Sequence, residues 1–172
     1  MPFRDNPLLA NSPHPSLGAH ADTFGRIIGS WEGQFRDNSN EQETTGEMEV
    51  HIAWALDGRA VQDVWVIPSR RSRTPGRTTQ ASDNFGSTMR IFDPAIDAWR
   101  MFWFDPSKPY VRAELIGRRV DDDIVQIGNF GETPIKWIFS DIRSNAFVWR
   151  GYLLAPDGAT WNLSTEFRVH RV

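Results

Sequence analysis

Cysteine is absent from the 172 residues, which excludes disulfides, thiolate metal sites and a cysteine nucleophile. Long apolar runs are absent too. Nothing approaches the ~18 residues of a membrane helix. No charged-then-apolar leader opens the chain, so the expectation is a cytoplasmic protein with no membrane partner. Lysine is scarce, two residues against seventeen arginines, the kind of imbalance that codon usage in a GC-rich genome produces. Basic side chains number 19 and acidic ones 22, so the net charge is −3 and no basic excess suits a nucleic acid. His14, His20, His51 and His170 stand at no metal-ligand spacing, and no metal site is expected. Glycine motifs for a nucleophile elbow, a phosphate loop or a dinucleotide are missing. That removes the usual hydrolase, kinase and dehydrogenase readings, and no cofactor is implied. Against these absences stand eight tryptophans and eleven phenylalanines, with only two tyrosines. So much aromatic surface needs an interior to occupy.

A chain of this size holds one domain with one core. Residues 1–20 carry Pro2, Pro7, Pro13 and Pro15. Proline suits neither a helix interior nor a sheet ladder, so this stretch reads as an arm or cover outside the core. From Asp22 to Ile28 the side chains of Phe24, Ile27 and Ile28 share one helical face, with Gly29 as the stop. After Gly29 the apolar period drops to two. It runs through Trp31–Phe35, Met48–Leu56, Val61–Ile67, Phe85–Phe92 and Ala98–Phe104. It continues through Tyr110–Gly117, Ile124–Phe130, Ile135–Ile142, Phe147–Leu154 and Trp161–Val169, with turn residues such as Asp57-Gly58 between. Ten strands joined by hairpins make a meander, and a meander this long escapes two apolar edges by closing. The expected fold is all-β: an up-and-down antiparallel barrel of about 8–10 strands over residues 21–172, with a short N-terminal helix. Its interior would just hold one small ligand. One connection, Pro68–Asn84, is long and irregular and holds Arg70, Arg71, Arg73 and Arg77. It reads either as a solvated loop or as a mouth loop that draws in an anion.

Alternation also sorts the lining. Across Asp57-Gly58, Leu56 pairs with Arg59, Trp54 with Val61, Ile52 with Asp63 and Val50 with Trp65. The apolar face therefore carries Asp63 inward with Trp54 and Trp65. A carboxylate there is a general acid or base, a polar anchor for a ligand, or one half of a structural ion pair. Arg100 is its natural partner. With Met89 opposite Phe102 and Ile91 opposite Arg100, Arg100 shares a face with Phe102 and Phe104. Turned inward, it would clamp a ligand carboxylate. The other face of that strand pair, with Phe92, Trp99, Met101 and Trp103, is equally apolar, and one residue of register exchanges the two. Gln126 joins Ile124 and Phe130 as a polar lining group, and Arg112 pairs with Glu114 outside. Trp137, Phe139, Trp149, Leu153, Trp161, Leu163 and Phe167 fall on the apolar parities of the last three strands.

A short helix, then Gly29-Ser30-Trp31 opening the first strand, then an all-antiparallel meander, resembles the calycin superfamily of lipocalins, fatty-acid-binding proteins and nitrobindins. The stretches Leu56–Trp65, Phe92–Arg100 and Trp137–Ile142 resemble a bacterial family of lipocalin-like barrels, over residues 24–172. The resemblance implies that Trp31 plugs the closed end and that a basic residue of the last strand, Arg168 or His170, covers it. It implies a fold and no activity.

The function expected from these features is binding of a small apolar or aromatic ligand, with or without a carboxylate. Trp54, Trp65, Phe102, Trp137 and Trp149 would form the walls, with Met89 beside Phe102. Asp63, Arg100 and Gln126 would orient the ligand. The alternative is a cofactor-free lyase, isomerase or cyclase, with Asp63 as acid/base and Arg100 or Gln126 stabilising negative charge. A third reading is a packed barrel offering a partner surface, and a homodimer is compatible with all three.

Overall fold

The structure, a computed structural model, describes residues 8–39, 42–78, 80, 83–107 and 112–172. After a 3₁₀ turn at Pro15–His20 comes one short helix, α1 (Ala21–Gly25). Ten strands follow: β1 (Gly29–Asp37), β2 (Thr44–Ala55), β3 (Ala60–Ile67), β4 (Asn84–Asp93), β5 (Ala98–Phe104), β6 (Arg112–Val120), β7 (Asp123–Phe130), β8 (Thr133–Arg143), β9 (Ala146–Leu154) and β10 (Trp161–Arg171). Each pairs antiparallel with its sequence neighbours, and β1 also pairs with β10, so the sheet closes and no edge is left open. The all-β barrel read from the period of two is the fold. Tyr110 and Val111, expected at the start of β6, lie outside the described residues.

The helix is shorter than its apolar face suggested. It stops at Gly25, and Ile27 and Ile28 continue as tight turns, their N–H groups donating to the carbonyls of Phe24 and Gly25. Phe24 and Ile27 still go where that face pointed, fully buried beneath the barrel.

Because the strands alternate in direction, the two ends of the barrel are built differently. One end gathers α1 and the turns that follow β2, β4, β6 and β8. The other, the mouth, gathers the longer connections after β1, β3, β5 and β9 and the two-residue turn after β7. At the closed end Trp31 is inaccessible to solvent. Its Nε1 donates to the Ile27 carbonyl at 2.9 Å, and Phe147 meets its ring edge-on, centroids 4.8 Å apart. The guanidinium above Trp31 belongs to Arg171, 4.0 Å from the ring centre, and its Nη1 donates to the Ile28 carbonyl. This corrects the expectation of Arg168 or His170. Val169 faces inward in β10, so Arg171 follows it on the same parity, while Arg168 and His170 point outward and are exposed.

Residues 8–20 lie along the closed end. Ala10 N–H donates to the Trp54 carbonyl at 2.9 Å, and His14 N–H to the Gly58 carbonyl at 3.0 Å. Leu17 enters the core cluster at 5% exposure, so this stretch is a cover that also contributes one core side chain. Residues 1–7 of the arm lie outside the described residues. No helix among the described residues is long and apolar enough to cross a membrane.

Candidate functional site

At the mouth the barrel encloses a cavity of about 420 Å³. Its walls are Trp65, Trp103, Trp137, Trp149, Phe35 and Phe167, contributed by six different strands. The rings touch one another around the wall: Trp103 meets Trp137 at 6.1 Å between centroids, Trp137 meets Trp149 at 5.6 Å, and Trp149 stacks on Phe167 at 4.9 Å. Three glycines let the rings lie back against the sheet. A side chain at Gly86 would collide with the Trp103 indole; one at Gly151 would crowd Trp149, and one at Gly46 would crowd Phe35. The glycine under three of these six rings helps this many aromatics to leave a hollow. Asp37, Thr44, Asn84 and Thr165 add polar groups to the lining.

Below the cavity Asp63 and Arg90 form an ion pair, Oδ2 to Nη2 at 2.6 Å, with side-chain exposures of 0% and 1%. Thr88 N–H donates to the other carboxylate oxygen at 2.7 Å. The guanidinium lies over Phe24 at 5.0 Å and Phe139 at 5.8 Å. Arg90 and Thr88 line the cavity, whereas Asp63 does not. Nε and Nη1 of Arg90 are buried with no acceptor, and the Nε1 of Trp99 and both amide atoms of Gln126 are likewise buried and unpaired. The interior of this barrel therefore contains more donors than its own acceptors satisfy.

Asp63, Trp65, Trp137, Trp149 and Gln126 face inward as expected, and Trp65, Trp137 and Trp149 share the cavity. Gln126 is inward and fully buried but lies outside the cavity lining. Trp54 is also inward, yet it sits at the closed end against Gly25 of α1 and does not line this cavity. The inward facing expected for Arg100, Phe102 and Met89 is corrected. The pairings are right, Met89 with Phe102 and Ile91 with Arg100, but the opposite parity turns inward. In β5 that parity is Trp99, Met101 and Trp103, leaving Arg100 exposed outside with its Nε on Asp93 at 2.7 Å. In β4 the inner face is Gly86, Thr88 and Arg90. It is polar because Asp63 stands opposite Thr88, so the apolar Met89 and Ile91 are left outside.

Arg90 and Thr88 line the cavity without having been expected there, and Trp103 does so from the face of β5 opposite the one expected. The signal for Trp103 was the charge of Arg100 on the alternate face. The signal for Arg90 lay across the long β3–β4 connection, where no turn fixes register. Trp161 and Leu163 also leave the inner face. A bulge between Leu163 and Thr165 puts Leu163 opposite Tyr152 on the outer wall. Lys136 reaches over Tyr152 and Trp161 there.

The connection between β3 and β4 carries its arginines engaged. Arg70 Nε meets Glu49 Oε1 at 2.7 Å, Arg71 meets Glu32 at 2.8 Å, and Arg77 and Arg73 converge on Asp83. Burial alone would raise the Glu49 pKa, but hydrogen bonds from Arg70 and His51 outweigh it and hold the group at about 2. Arg77 and the Gln80 N–H bring the Asp83 carboxyl far below its usual range. Residues 79, 81 and 82 of this connection lie outside the described residues.

Fold and cavity together define a class: a closed ten-stranded antiparallel barrel with a plugged end and an aromatic-walled mouth. No protein-family model and no curated protein matches this chain.

Proposed function

We propose that this is a calycin-like barrel that binds a small apolar or aromatic molecule in the mouth cavity. One observation carries the reading. The interior is filled at the closed end, yet at the mouth about 420 Å³ stays open between four tryptophans, two of them, Trp103 and Trp149, seated over glycines. Rigid aromatic walls with a few polar groups are the usual make-up of a small-molecule site. Acid–base chemistry at Asp63 has less support, because the carboxylate is ion-paired with Arg90, accepts from Thr88 N–H through its other oxygen, and does not line the cavity.

The test uses the neutral dye N-phenyl-1-naphthylamine, whose emission rises in apolar surroundings. The protein is expected to bind it saturably, and Gly86→Val to abolish binding by driving the Trp103 indole into the cavity. A far-ultraviolet spectrum unchanged in the variant would show that the barrel is intact. No binding by the wild-type chain, or equal binding by an intact Gly86→Val barrel, would sink the proposal.

A further inference from the structure

We propose that the cavity selects uncharged aromatic molecules carrying a carbonyl-type acceptor and turns carboxylates away; this rests on the binding reading above. Among the described lining residues Arg90 is the one cation and Asp37 the one anion. Arg90 is already neutralised, since Asp63 lies 2.6 Å from its Nη2 and both side chains are closed to solvent. A second carboxylate beside that pair would bring net negative charge into a space walled by indoles, close to Asp63 and below Asp37. The arginines of the β3–β4 connection do not offset it, because Arg70, Arg71, Arg73 and Arg77 are paired with Glu49, Glu32 and Asp83. The guanidinium of Arg90 also lies over Phe24 at 5.0 Å and Phe139 at 5.8 Å, contacts it would give up by leaving Asp63 for a competing anion.

An uncharged acceptor meets none of this opposition. Nε and Nη1 of Arg90 are buried and have no acceptor from the protein. A carbonyl oxygen that reaches the guanidinium edge satisfies a charged donor and leaves the balance of the ion pair unchanged. The flat body of such a molecule then stacks among Trp65, Trp103, Trp137 and Trp149.

Probes sharing a naphthalene body and carrying heads of equal size separate these effects: 2-isopropylnaphthalene, 2-acetylnaphthalene and 2-naphthoate, titrated by quenching of tryptophan fluorescence. The acetyl probe is expected to bind about tenfold tighter than the hydrocarbon, from one hydrogen bond to a charged donor, and about tenfold or more tighter than the carboxylate. Asp63→Asn keeps the shape and an acceptor for Thr88 N–H but removes the counter-charge. In that variant 2-naphthoate is expected to gain about tenfold while 2-isopropylnaphthalene is unmoved. Equal binding of the acetyl and isopropyl probes, or tightest binding of 2-naphthoate by the wild-type chain, overturns the inference and leaves the binding reading intact. Failure of all the probes to bind overturns both. The wild-type series decides even if Asp63→Asn does not fold.

Discussion

At the closed end Trp31, Trp99, Phe24 and Phe147 fill the interior to within 1% of complete burial, whereas at the mouth Trp65, Trp103, Trp137 and Trp149 surround about 420 Å³. Residue type, period and inward parity are the same at both ends. What differs is what enters from outside the sheet. Phe24 and Ile27 push up from the N-terminal segment and complete a close-packed layer with Phe139 and Trp99. No such plug serves the mouth in the described residues, and Gly86, Gly151 and Gly46 let its rings recline against the wall. Aromatic content alone therefore does not separate a packed interior from a hollow one. The small residues opposite the rings and the segment that caps the end do.

The contrast can be broken most directly by truncating one ring at each end. Phe24→Ala should lower unfolding stability by about 3–5 kcal/mol, as deletion of a buried aromatic does. Trp103→Ala, at a partly buried ring beside an existing cavity, should cost only about 1–2 kcal/mol. Equal losses in urea unfolding would mean that the mouth is as tightly packed as the plug. Between the two ends lies the Asp63–Arg90 pair, and Arg90→Met should cost about 3–5 kcal/mol by stranding a buried carboxylate. The double change Asp63→Leu with Arg90→Met should recover most of that loss, and its failure to do so would mark the pair as more than a balanced charge.

The smallest effect belongs to the outer wall. Glu49 titrates at about 2 instead of the ordinary 4.5, so its stabilising contribution is present above pH 4.5 and lost as the pH falls toward 2. Because Arg70 is itself more than half exposed, the contribution is roughly 1 kcal/mol. Chemical unfolding of wild type and Glu49→Gln should differ by that amount at neutral pH and converge near pH 2. A constant gap across that range would show that the carboxylate charge is not the source.

Much of this architecture was legible because it is local. Turn residues and a period of two placed ten strands, and Asp57-Gly58 fixed the register of β2 on β3 to the residue, carrying Asp63 inward with Trp65. The same logic paired Met89 with Phe102 and Ile91 with Arg100. It stopped at facing. Both faces of β5 are aromatic, and β4 reverses its polarity to serve a charge on β3, so neither strand announces its inner side. In β10 a single bulge residue moved Trp161 and Leu163 off the face that simple alternation gave them.

By itself, then, the order of residues determined that this chain is a closed antiparallel barrel rich in inward tryptophan, because alternation and turn chemistry act between near neighbours. Only the tertiary structure decided that Arg90 and not Arg100 answers Asp63, that Arg171 covers Trp31, and that four of the tryptophans frame a space instead of filling it. Those outcomes depend on which side chains meet across the barrel and across long connections. Such meetings are set by closure and packing of the whole sheet, which no short stretch of sequence contains.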